Sequence, residues 1–128
     1  MEKLLYHHLA EKDFNMKKLN SLETLILETI LIENKEKYPS LVFHLPYLYI
    51  KNREYTSVGV YSNFGYKHDE PFNDINELLS SERKLMLEKL KYELTYTLDI
   101  TNGKLNFLEI CTNGNEMWDG SFDNFKLE

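Results

Sequence analysis

At 128 residues, with 42% hydrophobic and 28% charged side chains, the chain is long enough to bury a core of its own and too apolar to remain disordered. Its single cysteine, Cys111, excludes an internal disulfide, and the formal charge of -6 excludes broad phosphate-backbone binding, which lysine and arginine must neutralise. No nucleic-acid partner, cofactor or metal is expected.

The stretch from Met1 to Asp13 mixes charge, His and Leu without an apolar run, so it lacks the character of a secretory signal, and a reducing cytoplasm is the expected location. Lys3 to Glu11 has the spacing of a short helix, with Leu4, Leu5, His8 and Leu9 on one side, and Asp13 to Leu19 follows as a loop. Leu22 to Lys37 fits two periods, since Leu22, Leu25, Ile26 and Ile30 have helical spacing while Leu25, Leu27 and Leu31 alternate. Its ends favour a helix: Asn20 or Ser21 can cap the first free amides, Glu23 suits the first turn, and Lys35 and Lys37 suit the last. Tyr38, Pro39 and Ser40 stop it.

Leu41 to Ile50 is rich in β-branched and aromatic residues and reads as a strand, with Pro46 requiring an edge or a bulge. Neither this segment nor Leu22 to Ile32 can cross a bilayer: one is short and holds His44 and Pro46, the other carries Glu23 and Glu28. Lys51 to Glu54 reads as a turn, and Tyr55 to Phe64 as the returning strand, with Val58, Val60 and Ser62 on one side and Ser57, Gly59 and Tyr61 on the other. After a loop from Gly65 to Phe72, Ile75, Leu78, Leu79, Leu85, Met86 and Leu90 suggest a helix to about Tyr92, capped by Asn73 or Asp74 and interruptible at Ser80 and Ser81. Leu94, Tyr96, Leu98 and Ile100 then alternate, Asn102-Gly103 supplies a tight turn, and Lys104 to Cys111 returns as a strand. Asn113-Gly114 and Asp119-Gly120 make Thr112 to Gly120 a sharply folded, exposed loop, after which Phe122, Phe125 and Leu127 rejoin the body. With no repeat, linker or low-complexity tract, the elements form a single α+β domain in which antiparallel β-hairpins pack on two or three helices.

No phosphate loop, dinucleotide fingerprint, nucleophile elbow, zinc-protease helix or paired CxxC occurs. His68, Asp69 and Glu70 are metal-capable but adjacent, and adjacent side chains do not converge on one ion; His7 and His8 diverge for the same reason. Cys111 with His44 or His68 would make a thiolate and its base, yet nothing local activates Cys111, which ends an apolar strand as a small hydrophobe does. No catalytic residue is assigned.

Charge is unevenly placed. Asp69, Glu70, Asp74, Glu77 and Glu82 lie between Lys67 and Arg83, and Glu109, Glu116, Asp119 and Asp123 between Lys104 and Lys126, with no lysine or arginine in either interval. Such fields attract basic partners, although runs of charge also serve simply as solvated faces. The only tryptophan, Trp118, sits among acids in the turn-rich segment from Asn115 to Asp123, either as an interface anchor or folded back on the sheet with its indole N–H satisfied. Glu116, Trp118, Asp119 and Asp123, with Asp69 and Glu70, are therefore the candidate partner-binding residues. In small size, acidity, the absence of catalytic motifs and this Trp-acidic loop, the chain resembles the immunity proteins of bacterial toxin systems. That resemblance is of overall character and implies a binding inhibitor that occludes a basic toxin domain, frequently a nuclease. Two other readings stand beside it: a small enzyme using His68, Asp69 and Cys111, and a dimerisation module joined through the edge strand Leu41 to Ile50.

Overall fold

The computed structural model describes residues 16–68 and 73–128. The helix expected over Lys3 to Glu11, and Asp69 and Glu70, lie outside them.

Helix α1 (Ser21–Glu33) begins where its sequence asks it to. The Asn20 side chain accepts from the Glu23 amide at 2.8 Å and the Glu23 carboxylate accepts from the Asn20 amide at 2.8 Å, a reciprocal capping box. The helix ends before Lys35 and Lys37, because Asn34 closes the last turn by donating its side-chain amide to the Ile30 carbonyl at 2.8 Å. Leu22, Ile26, Leu27, Ile30 and Leu31 are buried, which settles the choice of period in favour of the helix.

Leu41 to Ile50 departs from expectation. Leu41–Tyr47 is a 3-10 helix, and strand β1 (Leu48–Tyr55) starts only after it. Pro46 has no N–H for a ladder, but its fixed φ suits a 3-10 turn, whose curl also turns Leu41, Val42 and Leu45 onto the core. β1 then runs straight through Lys51 to Glu54, where a turn was expected, with an irregularity between Ile50 and Asn52. The reversal comes three residues later, before β2 (Gly59–Tyr66).

The expected helix over Ile75 to Tyr92 is replaced by two short strands, β3 (Glu77–Leu79) and β4 (Leu85–Leu87). β3 pairs with the edge of β5 (Thr95–Thr101), and Ser80 donates to the Tyr96 carbonyl at 2.6 Å. Leu85 and Leu87 are buried with Met86 half-exposed between them, a period of two embedded in what also read as helical spacing. Pairing partners elsewhere in the chain override local propensity here. The hairpin of β5 and β6 (Lys104–Cys111) is as expected, with Asn102 (φ 50) and Gly103 (φ 77) in its turn. β7 (Phe125–Leu127) returns to pair with β4.

All pairings are antiparallel. A five-stranded sheet has the order β1-β2-β6-β5-β3, and β4 with β7 forms a second, two-stranded sheet. The whole is one small α+β domain. α1 covers one face of the large sheet, where Leu48, Ile50, Val60, Phe64, Leu98, Ile100, Leu105, Leu108 and Ile110 join the helix residues in a continuous core. Within that core the Glu23 carboxylate, 2% exposed, is bonded at every side: Arg53 donates through Nε and Nη2 at 2.8 Å each, and the buried Ser62 hydroxyl donates to Oε2. Tyr96 is buried too, its hydroxyl donating to the Arg83 carbonyl at 2.7 Å.

Two stability outcomes follow. Arg53→Ala strands the Glu23 charge in the core and should lower stability by about 3 kcal/mol, whereas replacing Glu23 and Arg53 together by leucine should recover most of that loss; urea unfolding midpoints measure both. Burial raises the Tyr96 pKa above the ordinary tyrosine value. Because the folded-state pKa is the higher one, this contribution is complete below about pH 10, the unfolded value, and is lost as pH climbs through the folded value. Tyr96→Phe should therefore flatten the alkaline fall in melting temperature, at a cost of about 1 kcal/mol at neutral pH for the lost hydrogen bond.

Candidate protein-binding surfaces

The Trp118 loop is strapped down rather than free. Trp118 donates its backbone N–H to the Ser57 carbonyl at 2.9 Å and its indole N–H to the Ser121 carbonyl at 2.7 Å, and the side chain is only 7% exposed. Of the two positions open to it from the sequence, it occupies the one folded onto the sheet. Glu116 is likewise occupied internally: its carboxylate accepts from the Lys91 amide at 2.8 Å and the Tyr92 amide at 2.7 Å, clasping the loop to the segment before β5. Gly120 (φ 88) allows the chain to pass close under the Tyr55 ring, where a Cβ would approach within 2.5 Å.

Among the side chains the loop offers to solvent are Asp119, Asp123 and Met117, the last 72% exposed. Asp119 accepts from the Ser121 amide at 2.9 Å, and its bonds from the Ser121 side chain and backbone hold its pKa below the ordinary aspartate value, so it stays ionised further into the acid range. Trp118 stands as a wall between two clefts. One, of about 490 Å³, is bounded by Lys89, Leu90, Met117 and Asp119; the other, of about 310 Å³, opens over Arg53, Tyr55 and Phe122.

The second surface is the solvent face of the large sheet, opposite α1. Register places Glu54, Tyr61, Glu109 and Thr97 side by side in one row, and Asn52, Asn63, Phe107, Asp99 and Leu78 in the next. The rings of Tyr61 and Phe107 meet edge to face, 5.7 Å between centroids. Leu78 is 66% exposed at the margin. These two rows hold three carboxylates and no basic side chain, while Lys51 and Lys104 lie toward the other end of the sheet. Glu109 beside Tyr61 raises the pKa of the phenol, as a neighbouring carboxylate does when it accepts from the neutral form.

The residues considered for thiol chemistry are not brought together. Cys111 lies at the Gly59 end of the sheet, its Sγ 3.0 Å from the Thr95 hydroxyl; His44 lies at the opposite end, its Nδ1 2.8 Å from the Tyr66 hydroxyl. His68 is exposed and meets the Tyr47 ring edge-on at 5.8 Å. Among the described residues no three His, Cys, Asp or Glu side chains converge in a metal-binding group, and no helix is long and apolar enough to cross a membrane.

The sequence pointed to the loop and not to the sheet face. Outward-facing Tyr61 was visible in the alternation of its strand, but the joining of β2 to β6, which sets it beside Phe107 and Glu109, was not. Loop carboxylates that look alike in sequence should separate by stability: Glu116→Ala should cost about 1 kcal/mol by releasing the two amides that clasp the loop, and Asp123→Ala less than about 0.5 kcal/mol, both read from thermal or urea unfolding.

No protein-family model, no curated protein and no solved structure matches this chain.

Proposed function

We propose that this protein is a binding inhibitor of the toxin-immunity kind, which neutralises a basic toxin domain by covering it with the open face of the β-sheet. The observation that carries the reading is the pair of rows in which Glu54, Glu109 and Asp99 surround the Tyr61–Phe107 pair without a basic side chain among them. Aromatic side chains supply much of the energy of protein interfaces, and surrounding carboxylates steer a basic partner and reject acidic ones. The strands that carry Tyr61, Phe107, Glu109 and Asp99 are each paired on both sides, so their side chains need little ordering on contact. Asp119 adds an exposed carboxylate near the Gly59 end, since the adjoining Trp118 is bonded to Ser57, and Asp123 is a further exposed carboxylate of the same loop. Trp118 supports that loop from behind, and the net charge of -6 agrees in sign with the proposed partner.

The tagged protein, captured from lysate of its own host at low and moderate salt, should retain a basic protein in stoichiometric amount whose toxic activity is suppressed in the complex. Recovery of the protein alone, from a host shown to express candidate partners, would sink the reading. With a partner in hand, Glu109→Lys and Asp99→Lys should each slow association about tenfold at low salt, with the difference shrinking as salt rises; Glu109→Lys should leave the unfolding midpoint nearly unchanged, while Asp99→Lys also releases the Thr101 hydroxyl and the Asn106 amide at the β5–β6 turn and lowers it slightly.

A further inference from the structure

The smaller cleft beside Trp118 has a chemistry that the inhibitor reading does not use. Arg53 lines it, with guanidinium Nε and Nη2 fixed on Glu23 at 2.8 Å. Those two bonds occupy one edge of a planar group. The Nη1 end makes no bond to a described residue, and the side chain, 20% exposed, reaches the cleft. Salt-bridging to Glu23 thus aims an arginine fork instead of cancelling it.

The one carboxylate of the lining is fully occupied. Both oxygens of Glu23 are bonded to Arg53, and also to the Asn20 amide and the Ser62 hydroxyl. The Asn20 side-chain oxygen is held by the Glu23 amide. The side-chain groups left for a ligand at this point include two cations, Arg53 through Nη1 and the second N–H of Nη2 and the exposed Lys18, together with the Asn20 amide nitrogen and the Tyr55 hydroxyl. The same cleft is lined by Tyr55, Trp118 and Phe122, with the indole N–H of Trp118 committed to Ser121. A volume of about 310 Å³ lies at the small end of the range for small-molecule pockets, roughly 300–1,000 Å³.

We infer that this cleft binds a small organic carboxylate, its carboxyl group in the Arg53 fork and its apolar or aromatic body against Tyr55, Trp118 and Phe122. A carboxylate meets a guanidinium edge with two parallel hydrogen bonds, which a neutral amide of the same shape does not reproduce. Lys18 adds the charge that offsets Glu23, so the mouth of the cleft is locally cationic within an acidic protein. The site stands apart from the sheet face and holds whether or not a toxin partner exists.

The test uses phenylacetate and phenylacetamide as matched probes on the whole chain, followed by two-dimensional NMR up to about 10 mM, the weak-affinity range of such small ligands. Phenylacetate should shift the Trp118 indole N–H and the Arg53 Nε–H saturably, and phenylacetamide should bind at least tenfold more weakly. Lys18→Glu, an exposed rim change remote from the core, should weaken phenylacetate several-fold and leave the amide unaffected. Equal binding of the two probes would reduce the cleft to an apolar hollow and overturn the inference, as would shifts located elsewhere or the absence of any shift with phenylacetate. The probe comparison is made on the unsubstituted chain, so it decides the matter even if a variant folds poorly.

Discussion

The placement of α1 on the sheet rests on one carboxylate. Glu23 closes the capping box that starts the helix and, from the same side chain, accepts from Arg53 on β1 and Ser62 on β2. Apolar contacts between a helix and a sheet allow small slides and tilts, because burial is not directional. A charged group in the core does not, since any displacement that breaks its bonds leaves it unsatisfied at a cost of several kcal/mol. Glu23 therefore fixes the helix in register and azimuth, and with it which side chains of α1 reach the core. Arg53 and Ser62 are themselves neighbours in the β1–β2 ladder, so the network also reports that this hairpin has paired correctly.

The two faces of the large sheet have divided their work. The inner face is apolar and mostly aliphatic, with Phe64 and Tyr96 as its buried rings and the Glu23 network as its buried polar group. The outer face is polar and acidic around one aromatic pair. The Trp118 loop belongs to neither face but ties the β1–β2 turn to the segment before β5, through Ser57, Val58, Lys91 and Tyr92. Its tryptophan and Glu116 are thus architectural in this structure, and the acids it presents outward are Asp119 and Asp123. A hydrophobic residue surrounded by carboxylates in sequence need not sit among them in space, because a turn sends neighbours in opposite directions.

Local signals were legible and distant pairings were not. The capping residues of α1, the Asn102-Gly103 turn and the alternation of β5 and β6 each depend on residues within a few positions of one another, and all are present as the sequence implies. Leu41 to Tyr47 misled because strand-forming side chains are also good core-fillers, and Pro46 decided the backbone. The segment Ile75 to Tyr92 misled because leucines at mixed spacing satisfy two periods. The free edge of β5 and the returning β7 chose between them, and both lie far along the chain. For the same reason the acidic sheet face was hidden: Glu54, Tyr61, Glu109 and Asp99 come from four strands that meet only in the finished sheet.

That assembly has a kinetic side. The β1–β2 and β5–β6 hairpins close over short turns, whereas the β2–β6 ladder that splices them joins residues from opposite halves of the chain. Long-range strand pairing of this type is the slow step of sheet formation, so protection of the β2–β6 amides from hydrogen exchange should appear last during refolding. Until it forms, β2 and β6 are bare edges that any other strand can join. Glu109, set beside Tyr61 and Phe107 on that seam, puts charge where an intruding strand would have to lie. The same carboxylate thus guards the nascent hairpins against aggregation before it has a surface to serve.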